Sequence, residues 1–154
     1  MKLRIHKGND EGSGEILRLV QESFAYMDGR IDPPSSMHKM TVSDISGHCS
    51  SGEVWTLGDP VIACIFLTPK EDALYIGKLA VSKKERRKGI GRKLIDHAND
   101  RAVALNKSSL ELYVRIELTE NHLAFEKTGF KKISEASHPG YLKPTYIVMR
   151  KAVS

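Results

Sequence analysis

The chain has 154 residues, of which 40% are hydrophobic and 28% charged, with a formal net charge of +5. That is one domain's worth of chain with enough apolar content for a core. It shows no run near the roughly 18 apolar residues of a membrane span. The start, "MKLRIHKGNDEG", lacks the apolar stretch of a secretory signal. Cys49 and Cys64 make neither a disulfide framework nor a metal-ligand cluster, and a cytoplasmic location is the expectation.

In chain order, "KLRIHK" reads as a first strand. "SGEILRLVQESFAYM" places Ile16, Leu17, Val20, Phe24 and Met27 on one helix face. Pro33 and Pro34 enforce an extended loop in "DGRIDPPSSMH", and a short helix is expected after Thr41. "EVWTL" and "VIACIFLT" form a hairpin around "GDP", and "DALYIGKLAVS" is a longer strand. "GIGRKLIDHANDRAVALN" carries Ile90, Leu94, Ile95, Ala98, Ala102 and Leu105 at helical spacing. "SLELYVRIEL" is a strand. Residues 119–128 form a helix with Thr119 as N-cap and Gly129 as its stop. "FKKISEA" and "TYIVMRK" are two last strands around the loop "SHPGYLKP". The order predicts one α/β domain over residues 1–154, in which the strands flanking the long helix are parallel neighbours.

The positive charge is local. Residues 83–93, "KKERRKGIGRK", hold seven Lys or Arg and one Glu, so the rest of the chain sums to about one negative charge. Charge packed around two glycines suits a compact anion better than a long polyanion, and no nucleic-acid partner or membrane surface is expected. Where a strand end, a glycine loop and a helix start follow one another, free backbone N–H groups and the helix dipole favour a phosphate. The segment is neither a Walker loop nor GxGxxG, since Leu94 stands where the third glycine would be. A solvated basic turn is the plain alternative.

"RRKGIG" resembles the Arg/Gln-x-x-Gly-x-Gly/Ala signature of the GNAT superfamily of N-acetyltransferases, and "AFEKTGF" resembles that family's later "xYEKxGF" helix end. The element order resembles the family from Lys2 to about Lys151. The resemblance implies a mixed central sheet of six to seven strands, a splayed parallel pair and about four helices. It implies acetyl-CoA as cofactor and transfer of its acetyl group to a primary amine, expected on a small molecule. The acceptor could instead be a protein N-terminus or lysine, and a non-enzymatic CoA-binding sensor is a further reading.

By the same resemblance, the pyrophosphate would lie on Arg86, Arg87, Lys88, Gly89, Ile90, Gly91 and Arg92. The pantetheine arm would run along Leu79, Ala80 and Val81, with an oxyanion-holding N–H in that stretch. Two landmarks depart from the family. Phe125 stands where the acidic Tyr is usual, and Leu118 where an Asn is usual. Asn121 is then expected to bond the pantetheine amide and Phe125 to pack the thioester end. His122 is an acid or base candidate, or a plain surface histidine.

Along "LELYVRIEL", Glu111, Tyr113, Arg115 and Glu117 alternate onto one face. Glu117 is the first choice for a base acting through water, and Tyr75 is a second polar group on the neighbouring strand. That face could equally be a salt-bridged, part-solvated one. Arg30, Asp32, Tyr113, Arg115 and Tyr141 are the expected acceptor-binding residues. Arg30 and Arg115 together suggest an acceptor bearing an anionic group. Family members often dimerise through C-terminal strands, so a homodimer using "TYIVMRK" as an edge is a further expectation.

Overall fold

Asn9 sets the first boundary. Its Oδ1 accepts the Gly12 N–H at 2.7 Å, and Asp10 and Glu11 sit favourably in the first turn of the helix dipole. In the computed structural model, which describes residues 2–154, helix α1 therefore spans Asp10–Phe24 and starts three residues before the apolar stripe suggests. The last residues of that stripe, Ala25–Met27, tighten into a 3-10 turn. Helix α2, Val42–Ser51, begins at a reciprocal capping box between Thr41 and Asp44. Helix α3 is Ile90–Ala104 and helix α4 is Thr119–Lys127.

Thr119 does not cap α4 as the sequence suggests. The capping position is Leu118, whose carbonyl accepts the Asn121 and His122 N–H groups at 3.0 and 3.3 Å. Its side chain is buried, and that anchor places the helix start one residue early. The helix stops as expected, with Gly129 at φ 104° and Phe130 buried behind it.

The strands are β1 Leu3–Ile5, β2 Glu53–Leu57, β3 Ala63–Pro69, β4 Ala73–Val81, β5 Ser109–Arg115, β6 Lys131–Ala136 and β7 Tyr146–Ala152. They form one mixed sheet in the order β1-β2-β3-β4-β5-β7-β6. The fold is thus a single α/β layer system with seven strands, a parallel β4–β5 pair and four α-helices. Strand β7 lies between β5 and β6, so "TYIVMRK" is interior and the exposed edge is β6. A C-terminal hairpin leaves its first strand outside because the second has already paired with β5.

Alternation along β3 divides the core in two. Ile65 and Leu67 join Leu74, Ile76, Leu94, Ile95, Ala98 and Leu110 under α3. Cys64 and Phe66 join Ile16, Val20, Ile45 and Val54 under α1 and α2. Each of the Val, Leu, Ile and Phe side chains among them contributes about 1.5–3 kcal/mol on burial. Burial pushes the Cys64 thiol up to about 12, which makes it an inert core group.

The β4–β5 pairing covers only Ala73, Leu74 and Tyr75 against Ser109, Leu110 and Glu111. Beside it lies an ionic knot. Glu111, 4% exposed, accepts from Lys70 Nζ at 2.9 Å and from Arg150 Nε at 2.8 Å. Burial alone would raise the Glu111 carboxyl, but the hydrogen bonds from Lys70 and Arg150 outweigh it and leave the group below its ordinary range. Glu111→Gln leaves Lys70 without its anion and Arg150 with only Asp72 at 3.6 Å, and should cost on the order of 3 kcal/mol in urea unfolding. A depressed carboxylate stabilises above its unfolded pKa and loses that contribution as pH falls through the folded value. The gap between wild type and the Gln variant should therefore shrink in acid; a gap that is constant with pH would contradict this assignment.

Candidate active site

Beyond Tyr75, strand β4 continues to Val81 bonded on one side only, to β3, while β5 runs on beside β7. The register of β3 against β4 shifts between Phe66 and Leu67, so β4 carries one extra residue, Gly77. A bulge bends its strand and increases twist, and this one lies two residues past the last parallel pair. The two strands open into a wedge, and a cavity of about 620 Å³ fills it. Its walls come from Ile76–Leu79 of β4, Leu112–Arg115 of β5, and Leu118, Asn121, Ala124 and Phe125 at α4.

At the far end of β4 the basic loop turns into α3. Arg87 and Gly89 hold positive φ of 66° and 78°, and no side chain caps the helix. A Cβ added at Gly89 or Gly91 would meet nothing within 4 Å, so the turn into α3 is uncrowded at both glycines. Uncapped N–H groups at a helix start, ringed by cations, form an anion cradle. These residues fit a pyrophosphate.

The basic side chains divide their work. Arg86 lies back on the protein, its Nε donating to Val81 O at 3.3 Å and Nη2 to Ser23 O at 3.4 Å. It ties the loop to β4 and α1. Lys88 pairs with Glu85 at 3.0 Å. Arg87 and Arg92 make no hydrogen bond or ion pair with a described residue and remain free for a ligand.

Phe125 lines the wedge, its ring edge-on to Phe130 at 5.8 Å. Asn121 also lines it and donates Nδ2 to the Tyr26 hydroxyl at 2.9 Å. His122 does not face the cavity; its Nε2 lies 2.9 Å from Arg115 O, a contact that ties α4 to β5. Tyr75 and Tyr113 stack at 4.7 Å at the root of the wedge, and Tyr146 continues the stack at 5.0 Å. Burial, with Tyr113 adding to it, pushes the Tyr75 phenol up to about 12, so it stays protonated.

The loop after α1 forms the roof. Arg115 Nη1 donates to Pro33 O at 2.8 Å, and the Asp32 N–H donates to Glu117 Oε2 at 2.9 Å. Tyr141 donates its hydroxyl to Asp32 Oδ1 at 2.6 Å, and Arg30 pairs with Glu120 at 2.6 Å. Arg30, Asp32, Glu117 and Tyr141 thus hold the roof in place, and of the five expected acceptor residues only Tyr113 and Arg115 line the cavity.

Several cavity residues escaped sequence reasoning: Tyr26, Gly77, Lys78 and Tyr146. Gly77 had a signal, since a glycine inside a strand marks a bulge or a close backbone approach. His138 lies within hydrogen-bond reach of Thr145 through Nδ1, and its pKa is lowered, first by burial and then by Arg115. Nothing local in the sequence joins these positions.

Residues 50–132 match the family model described as the acetyltransferase (GNAT) domain. The chain belongs to that family and is an acetyltransferase of the acetyl-CoA-dependent kind. No curated protein sequence matches it. Its fold is similar to the PaiA N-acetyltransferase from Thermoplasma acidophilum, solved in complex with coenzyme A, with TM-score 0.80, 16% identity and 99% of both chains covered. It is also similar to a GNAT-family acetyltransferase from Staphylococcus aureus Mu50, with TM-score 0.74, 17% identity and 99% and 100% coverage. A third similar structure is the ribosomal-protein-S18-alanine N-acetyltransferase from Escherichia coli, with TM-score 0.69, 16% identity and 99% and 95% coverage. Among the described residues no helix is long and apolar enough to cross a membrane.

The roof contacts are testable without substrate. Glu117→Ala removes one acceptor, a loss of about 1 kcal/mol, and should speed amide exchange across residues 30–36 by about fivefold. Unchanged protection there would show that Glu117 does not hold the loop.

Proposed function

We propose that the protein transfers the acetyl group of acetyl-CoA to the primary amine of a small molecule, with the two substrates meeting in the β4–β5 wedge. The single observation that carries this reading is the wedge itself. It offers a backbone edge with no partner strand from Ile76 to Val81, a bulge at Gly77, and an anion cradle at the start of α3. When bound, acetyl-CoA supplies the activated acyl carbon.

The chain's own residues then have separable roles. Arg87, Arg92 and the N–H groups after Gly89 hold the pyrophosphate. The edge of Leu79–Val81 pairs with the pantetheine amides as an added strand would. A backbone N–H beside the Gly77 bulge holds the carbonyl oxygen as charge develops on it. Phe125 packs the acyl end. A small acceptor fits because the roof loop is tied down at four points over the wedge, whereas a protein segment needs a long open groove.

Two proton steps remain. His138 lines the wedge, and its lowered pKa keeps the imidazole neutral and able to take the proton of the attacking ammonium, directly or through water. Glu117, the sequence-level choice, is spent on the Asp32 N–H and does not line the cavity. For the departing thiolate, Tyr26 takes the part that Phe125 cannot. Its oxygen accepts from Asn121 Nδ2, and its own proton stays free to donate. The demand on this donor is modest, since a free thiol has a pKa of about 8.5.

CoA release from acetyl-CoA across a panel of amines tests the activity, and release with no member would overturn it. Arg87→Glu should weaken acetyl-CoA binding about tenfold by calorimetry, the cost of one charge-assisted contact turned repulsive; unchanged binding would displace the cradle. In the pH profile of kcat/KM, His138→Gln should remove the acid-side limb, and Tyr26→Phe should lower the rate across the profile. Identical profiles in all three proteins would exclude both residues from proton transfer.

A further inference from the structure

The charges lining the wedge are of one sign. Among its described residues there is no Asp or Glu; the ionisable groups other than tyrosines are Lys78, Arg115 and His138. Arg115 is committed to Pro33 O and His138 to Thr145. Lys78 is different. It follows the bulge at Gly77, is only partly exposed, and makes no hydrogen bond or ion pair with a described residue. Its Nζ lies 5.4 Å from the centroid of the Phe66 ring. A part-buried ammonium without an anion is costly, and proteins rarely keep one unless something pairs with it.

The position of Lys78 says where that anion would come from. A second cavity of about 480 Å³ lies between α2 and the segment before it, and Ser36, Met37 and Lys78 line both cavities. Lys78 therefore borders both the wedge and this side chamber. The chamber adds Lys39, Ser43 and His48. Its one carboxylate, Asp44, is already taken by the Thr41 N–H at 2.8 Å in the capping box. The desolvation that lowers the Lys78 pKa, with only minor relief from Cys64 and Asp44, agrees with a cation lacking a protein partner.

We infer that Lys78 is the acceptor's anion site: the amine is presented at the Gly77 bulge while a carboxylate or phosphate on the same molecule binds Lys78 at the mouth of the side chamber. This rests on the acetyl-transfer reading and narrows its substrate to acidic amines. It also moves the anion-reading role from Arg30, paired with Glu120, and from Arg115, whose Nη1 is held by Pro33 O, to a residue whose side chain has no hydrogen-bond partner among the described residues. A polyamine fits poorly, since its second ammonium would meet Lys78, and the chamber's one carboxylate is held in the α2 capping box.

The probes are β-alanine, γ-aminobutyrate and O-phosphoethanolamine, set against β-alaninamide, ethanolamine and putrescine. Binding to the CoA-loaded protein is measured by calorimetry and CoA release is followed in parallel. The wild type should bind at least one acidic probe about tenfold more tightly than its neutral counterpart, and the carboxylate and phosphate arms identify which anion is preferred. Lys78→Met and Lys78→Gln should both bring that ratio to within about twofold while binding CoA as the wild type does, which also shows that they fold. No acidic preference in the wild type, or a preference that survives both substitutions, overturns the anion site. If the preference appears and is lost as stated but no probe releases CoA, the anion site stands and acetyl transfer to free amines falls. Turnover of putrescine or ethanolamine as fast as of the acidic probes leaves acetyl transfer standing and removes the anion site.

Discussion

Everything in this molecule follows from where the parallel pairing of β4 and β5 stops. A buried strand edge leaves N–H and C=O groups that need partners, and a protein seldom tolerates them without one. Here the edge opens after Tyr75 and Glu111, and the extra residue at Gly77 bends β4 away before pairing could resume. The edge is therefore a hydrogen-bonding template for something that is not protein. An amide-bearing arm satisfies it as an added strand would.

The opening is held at its root rather than left to drift. Glu111 is gripped by Lys70 and Arg150, and Lys70 also donates to the Tyr113 hydroxyl at 2.7 Å and lies over the Tyr75 ring at 4.5 Å. Tyr75, Tyr113 and Tyr146 stack across three strands. This cluster fixes the angle at which β4 and β5 part. On the opposite side, Leu118 and Phe130 carry α4 on the α3-side core and set Asn121 and Phe125 against the wedge. Core packing and site geometry are here one set of contacts.

Electrostatics then divides the molecule by task. Cations at the α3 start remain exposed, where a phosphate can reach them, and most cations and carboxylates near the roof are consumed in pairs. The exception is Lys78. It sits within the fold, beside the bulge, without an anion. A site that carries a cation and no carboxylate selects by charge, and it does so where the acyl group would be delivered.

The sequence by itself determined much of this. Apolar spacing, the helix start after Thr41, the glycine turn into α3 and the Gly129 stop are local signals, because helix ends and strand alternation are settled within a few residues. The anion loop was legible for the same reason: cations, glycines and a helix start are contiguous. The departure at Phe125 was legible too, as one residue in a short motif. What only the tertiary structure decided was every role that depends on partners distant in the chain. Glu117 became a roof anchor by meeting Asp32, Arg86 a brace by meeting Ser23, and Arg115 a clamp by meeting Pro33. Tyr26 reached the site through Asn121, 95 residues away. Lys78 had no signal at all in "YIGKLAV", because being unpaired is a property of the whole surroundings and not of any stretch of chain.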